Sequence, residues 1–111
     1  MEQQETAVRP LPAVLRDRLD EIAAICRQYG VRYLYVFGSA VHGTFDPATS
    51  DLDFMVDLGE YEPEIARRYA CLYMALQKLF DREIDLITTK SRGNDRFMEE
   101  VTATREMIYA T

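Results

Sequence analysis

VFGSAVHGTFDPATSDLDFMV, residues 36–56, is the stretch on which the reading of this chain turns. It opens with the end of an apolar run, Val31–Phe37, that is bounded by Gly30 and Gly38 and reads as a buried strand. Gly38-Ser39 breaks that strand, and residues 40–43 have room for one short helical turn. Residues 45–50 hold Asp46-Pro47 and Thr49-Ser50, which is loop chemistry. From there Leu52, Phe54, Val56 and Leu58 alternate with Asp51, Asp53, Met55 and Asp57, so the spacing predicts a second strand with one apolar and one acidic face. Gly59 ends it. The rest of the chain must cover the apolar side of these two strands.

Upstream, Leu11, Val14, Leu15, Leu19, Ile22, Ile25, Cys26 and Tyr29 recur at three- and four-residue steps. They predict one amphipathic helix of about five turns, with Pro12 in its first turn and Gly30 at its C-terminal cap. Residues 1–10 are polar, end in Pro10 and are expected to form a flexible arm. Downstream, a helix is expected from near Pro63 to about Phe80, striped by Ile65, Tyr69, Leu72, Leu76 and Phe80. A short strand Glu83–Thr88, a turn Ser91–Asn94, a last helix to about Arg105 and a terminal strand Met107–Ala110 complete the order. The expected fold class is therefore α/β (α+β): a small mixed sheet with helices packed mainly on one face, residues 11–111 forming a single domain.

With 111 residues there is room for one core. The 48% hydrophobic and 29% charged content excludes disorder, and no apolar run approaches the roughly 20 residues of a membrane helix. No secretory leader is recognisable, and Cys26 and Cys71 lack a CxxC or Cys/His spacing. Both are expected as free thiols, which suits a cytoplasmic location.

The net charge of −6 is not spread evenly. Between Tyr33 and Ala66 there is no Lys or Arg, and seven acids: Asp46, Asp51, Asp53, Asp57, Glu60, Glu62 and Glu64. The remainder, with 12 acids against 13 bases, is close to neutral. Such a stretch repels phosphates, so no direct nucleic-acid binding is expected. It is either a solvated acidic face or a divalent-metal site.

Asp51 and Asp53 lie two apart on a strand, on one face and about 7 Å apart. Their mutual repulsion is relieved by a hard cation such as Mg²⁺, which takes carboxylate and phosphate oxygens. Asp85 stands inside the apolar segment Ile84–Ile87, an expensive place unless it emerges at a sheet edge or meets a cation. If the third strand lies beside the second, Asp85 stands next to Asp53, and three carboxylates suit a two-metal site for nucleotidyl transfer. Gly38-Ser39, with free backbone N–H groups and a hydroxyl, suits a triphosphate tail. Each feature also has a plain reading: turn acids, an edge-strand acid, and a strand-to-helix cap. Arg67-Arg68 and Arg92 to Arg96 are expected as solvated basic spots.

Taken together, VFGSAVHG, SDLDFMV and the later REIDLIT resemble the nucleotidyltransferases of the DNA polymerase β superfamily, and within it the small MNT-type proteins. The resemblance runs from the first helix through FMEEVTATREMIY. It implies that Gly38, Ser39, His42 and Ser50 face the nucleotide and that Asp51, Asp53 and Asp85 are the catalytic and metal-binding acids. It implies Mg²⁺ (or Mn²⁺) as cofactor and ATP as substrate. It also implies a HEPN-type toxin partner, modified on a tyrosine and silenced, with a homodimer as a further expectation. Two departures stand out: the family commonly has a basic residue where this chain has His42, and the loop between Ser39 and Asp51 is one residue longer than usual. The rival reading is an antitoxin whose chemistry is weak and which blocks its partner by occlusion; a third is an acidic structural subunit without metal affinity.

Overall fold

The computed structural model describes residues 11–90 and 95–111. The expected N-terminal arm and the turn Ser91–Asn94, with Arg92, lie outside the described residues. In chain order the elements are α1 (Ala13–Arg16), α2 (Leu19–Gln28), β1 (Tyr33–Phe37), α3 (Ser39–His42), β2 (Leu52–Asp57), α4 (Ile65–Phe80), β3 (Ile84–Thr88), α5 (Asp95–Thr104) and β4 (Glu106–Ala110). The four strands form one mixed sheet in the order β3-β2-β1-β4. β1 runs antiparallel to both β2 and β4, whereas β2 and β3 are parallel and joined through α4.

Strand alternation sorts the side chains between the two faces. Leu34 and Val36 of β1, with Leu52, Phe54 and Val56 of β2, enter the main core. There they meet Ile22 and Cys26 of α2 and Leu72, Leu76 and Phe80 of α4. Phe54 and Phe80 stack with ring centroids 6.0 Å apart. At roughly 1.5–3 kcal/mol for each large apolar side chain removed from water, this layer dominates the stability of the fold.

The other face carries a second, smaller cluster of Phe37, Met55 and Val101, flanked by Tyr35, Ile87 and Met98. Val101 and Met98 come from α5, so one helix covers part of the face expected to be acidic. Met55, the middle residue of that face on β2, is only 1% exposed. Asp53 and Asp57 remain at its two ends.

Two expectations are corrected. The single five-turn helix is broken at Asp17-Arg18, where the Arg18 N–H bonds the Leu15 carbonyl in a tighter i→i−3 turn before α2 begins. The break leaves Leu19 at the surface while Leu15 and Ile22 are fully buried. α2 does end as expected: the Val31 N–H reaches back to the Cys26 carbonyl around Gly30, a Schellman closure. Arg68, expected as a solvated charge, is instead a half-buried staple. Its guanidinium donates to the carbonyls of Tyr29, Gly30 and Leu58 and pairs with Glu62 at 2.9 Å. It thereby ties the start of α4 to the end of α2 and the exit of β2.

Cys26 is buried, and burial pushes its thiol up to about 12; Cys71 is half-buried, and neither forms a disulfide. Among the described residues no helix is long and apolar enough to cross a membrane.

Candidate active site

β1 ends at Phe37, and the chain turns at Gly38 with φ +75° and ψ −144°, a region essentially reserved for glycine. A Cβ at Gly38 would fall inside van der Waals contact of Asp53 Oδ2 and 3.2 Å from Asp53 Cγ. The backbone at Gly38 thus packs directly against the carboxyl of β2, an approach that only glycine permits. Ser39 opens α3, whose first N–H groups have no partner within the helix. Val41 and His42 donate their N–H groups to the Gly38 carbonyl, which closes the turn.

The parallel ladder between β2 and β3 puts Asp53 opposite Asp85. The two carboxyls lie side by side across the ladder, so the charge of Asp85 disfavours that of Asp53. Burial, the hydrogen bond and charge of Asp85, and then the charge of Asp51 push Asp53 from 3.8 up to about 7. Asp85 itself is exposed on the edge strand.

Gly38, Ser39, His42, Asp53 and Asp85 line one cleft of about 460 Å³. The third of these, His42, is exposed at the end of α3. Two expected residues lie elsewhere. Asp51 is exposed just before β2, outside the cleft lining, and acts on Asp53 through its charge. The Ser50 hydroxyl accepts the Asp46 N–H at 2.9 Å and so belongs to the loop's own closure.

The sequence reading missed the opposite wall, which α5 supplies through Phe97, Glu100, Val101 and Thr104. Phe97 meets Phe37 edge-on at 6.1 Å. The signal for it was Phe97, Val101 and Thr104 at helical spacing, which marks a face without saying which side of the sheet it covers.

Among the described residues no group of three or more His, Cys, Asp or Glu side chains is already gathered closely enough to hold a metal ion. Asp53 and Asp85 nonetheless offer paired carboxylate oxygens whose repulsion a divalent cation would offset, and Asp51 adds a third negative charge. That chemistry fits Mg²⁺ or Mn²⁺.

The sequence model of the family described as "Polymerase beta, Nucleotidyltransferase" matches residues 20–111. This chain belongs to that family. The matched region spans all the candidate site residues named above, from Gly38 to Asp85. No curated protein sequence matches the chain.

Among solved structures, this nucleotidyltransferase is similar to one described as a minimal nucleotidyltransferase: 27% identity, TM-score 0.66, covering 83% of this chain and 90% of that one. It is also similar to a chain of a toxin–antitoxin crystal structure with AMP-PNP, at 23% identity and TM-score 0.63, covering 84% of this chain and 73% of that one. A third likeness is to a chain of the tri-AMPylated Shewanella oneidensis HEPN toxin in complex with its MNT antitoxin. There the identity is 19% and the TM-score 0.60, covering 86% of this chain and 72% of that one. The last two, below a quarter identical, speak for the shared fold.

Proposed function

We propose that this nucleotidyltransferase moves a nucleoside monophosphate, AMP from ATP, onto a hydroxyl acceptor, and that the acceptor is a tyrosine of a HEPN-type toxin that it silences as antitoxin. The observation that carries the reading is the Asp53–Asp85 pair, in register on adjacent strands and facing Gly38-Ser39 across one cleft. The solved complex of a tri-AMPylated HEPN toxin with an MNT antitoxin supports the choice of a HEPN-type acceptor.

In this reading the Ser39 hydroxyl and the N–H groups that open α3 hold the triphosphate tail. His42, at the other end of that turn, faces the outer phosphates as a hydrogen-bond donor. Asp53 and Asp85, joined by Asp51, would hold Mg²⁺, which when bound neutralises the phosphates and stabilises the leaving oxygen. Asp85, the solvent-facing member of the pair, takes the proton of the attacking hydroxyl. The acceptor oxygen bonds to the α-phosphorus, the bridge to the β-phosphate breaks, and pyrophosphate leaves. Positioning supplies most of the rate in such transfers.

A second reading, neutralisation by occlusion with weak chemistry, draws on the place of Asp51 outside the cleft lining. One experiment separates the two. The chain is co-expressed with its neighbouring toxin, and the toxin is weighed by intact mass spectrometry. An added AMP that disappears with Asp53→Asn, together with loss of protection, supports transfer. Full protection by Asp53→Asn without any adduct supports occlusion.

A further inference from the structure

Arg82 stands outside the cleft lining, in the link between α4 and β3 and three residues before Asp85. Its guanidinium reaches back to the loop that precedes β2. Nη1 donates to the Ser50 carbonyl at 3.0 Å, Nη2 donates to the Pro47 carbonyl at 2.8 Å, and the group lies 5.4 Å from the centre of the Phe45 ring. Its Nε is buried without a hydrogen-bond partner among the described residues, so the side chain gives up one bond to make this reach. The loop is also folded on itself. Ala48 donates to Asp46 Oδ1, Asp46 donates to Ser50 Oγ, and Thr49 and Ser50 donate to the Asp46 carbonyl, all between 2.9 and 3.1 Å. The residue that follows Ser50 is Asp51.

We infer that Arg82 is a positioning residue which clamps the Phe45–Ser50 loop to the entry of β3, so that Asp51 and Asp85 are presented together as one rigid pair. Two charge-assisted bonds to carbonyls at the two sides of the turn fix the loop's height and direction where a single bond would leave it free to swing. The clamp also takes up the loop's length: its two anchors, Pro47 and Ser50, bracket the turn, so only Asp51 lies between the clamp and β2. Arg82 touches carbonyl oxygens and an aromatic ring, and it acts on the chemistry through Asp51.

This inference rests on the nucleotidyl-transfer reading, and its test is built on binding of Mn²⁺ alone, which needs no turnover. Mn²⁺ is titrated by electron paramagnetic resonance into the wild type, Arg82→Ala, Asp51→Asn and the double variant, with Arg82→Lys as a second substitution that keeps the charge but cannot span both carbonyls. Circular dichroism checks that each is folded. Removing a group that orients a metal ligand typically costs about ten- to a hundredfold in affinity, which is the loss expected for Arg82→Ala, with Arg82→Lys intermediate. In the Asp51→Asn background the same change should alter affinity by less than about twofold, because the ligand through which Arg82 acts is gone. Equal losses in both backgrounds, or wild-type affinity in a folded Arg82→Ala or Arg82→Lys, overturn the inference while leaving the metal site standing. A wild type that binds no Mn²⁺ overturns the metal-dependent reading, and the clamp's role with it.

Discussion

Asp53→Asn should make the metal-free protein more stable, and only above a certain pH. Asp53 titrates at about 7 in the fold against an ordinary value of 3.8. Between those values the folded chain holds a proton that the unfolded chain has released, so stability falls as pH rises from about 4 to 7 and levels off above. At 1.36 kcal/mol per pH unit the full penalty would be about 4 kcal/mol; Asp53 is only half-buried, and solvent screening reduces this to about 1–2 kcal/mol. The asparagine carries no such charge at any pH. In EDTA the two proteins should melt together near pH 4, and at pH 8 the variant should melt about 4–8 °C higher. Thermal melts followed by circular dichroism at the two pH values decide it. A variant that melts below the wild type at pH 8 would refute the reasoning, since Asp53 would then contribute packing or hydrogen bonds worth more than its charge costs. Parallel behaviour at both pH values would equally remove the carboxylate repulsion from the account. Added Mg²⁺ should raise the melting temperature of the wild type at pH 8 and leave Asp53→Asn nearly unmoved.

Gly38→Ala combines a glycine-only backbone angle with a clash against Asp53, so it should cost about 1–3 kcal/mol in urea unfolding and abolish ATP binding in a parallel titration. Ser39→Ala removes one hydrogen bond to a charged phosphate, about 1.5–3 kcal/mol, and should weaken ATP affinity roughly ten- to a hundredfold in calorimetry while leaving Mn²⁺ affinity within a few-fold. His42→Arg places a permanent cation on the cleft wall and should tighten ATP binding in calorimetry; an unchanged affinity would put residue 42 out of reach of the phosphates. If the partner presents a basic surface, the acids between Tyr33 and Ala66 steer the encounter, and stopped-flow association should slow several-fold between low and physiological salt.

What could be seen in advance follows from the range of the interaction concerned. Alternation along Leu52–Leu58 placed β2, and the isolated Asp85 within an apolar segment marked an acid that would stand opposite Asp53 if β3 lay beside β2, as it does. These are local patterns plus one cost argument. The break at Asp17-Arg18 was hidden because Leu19 keeps the apolar spacing intact although the structure leaves it at the surface. Met55 looked like a member of an acidic face and is sealed under α5, since alternation assigns a side chain to a face and says nothing of what packs there. Arg68 and Arg82 were illegible for a different reason. Their partners are backbone carbonyls, Gly30 at 38 residues' distance and Pro47 at 35, and a carbonyl leaves no mark in the identity of its residue.

β3 has a neighbour on one side only, and its open edge would invite a strand from another molecule. Two features guard it. The Tyr69 hydroxyl donates to the Leu86 carbonyl, and the exposed charge of Asp85 sits in the middle of an otherwise apolar and β-branched segment. The acid that would accept the substrate's proton therefore also serves as a solubility gatekeeper, one of the charges that keep short hydrophobic strands from zipping together. Inactive versions of the protein are thus unequal as reagents. Asp53 lies on an interior strand and its loss leaves the edge charged, whereas Asp85→Asn turns Ile84–Thr88 into an uncharged run that should precipitate at concentrations where Asp53→Asn stays clear.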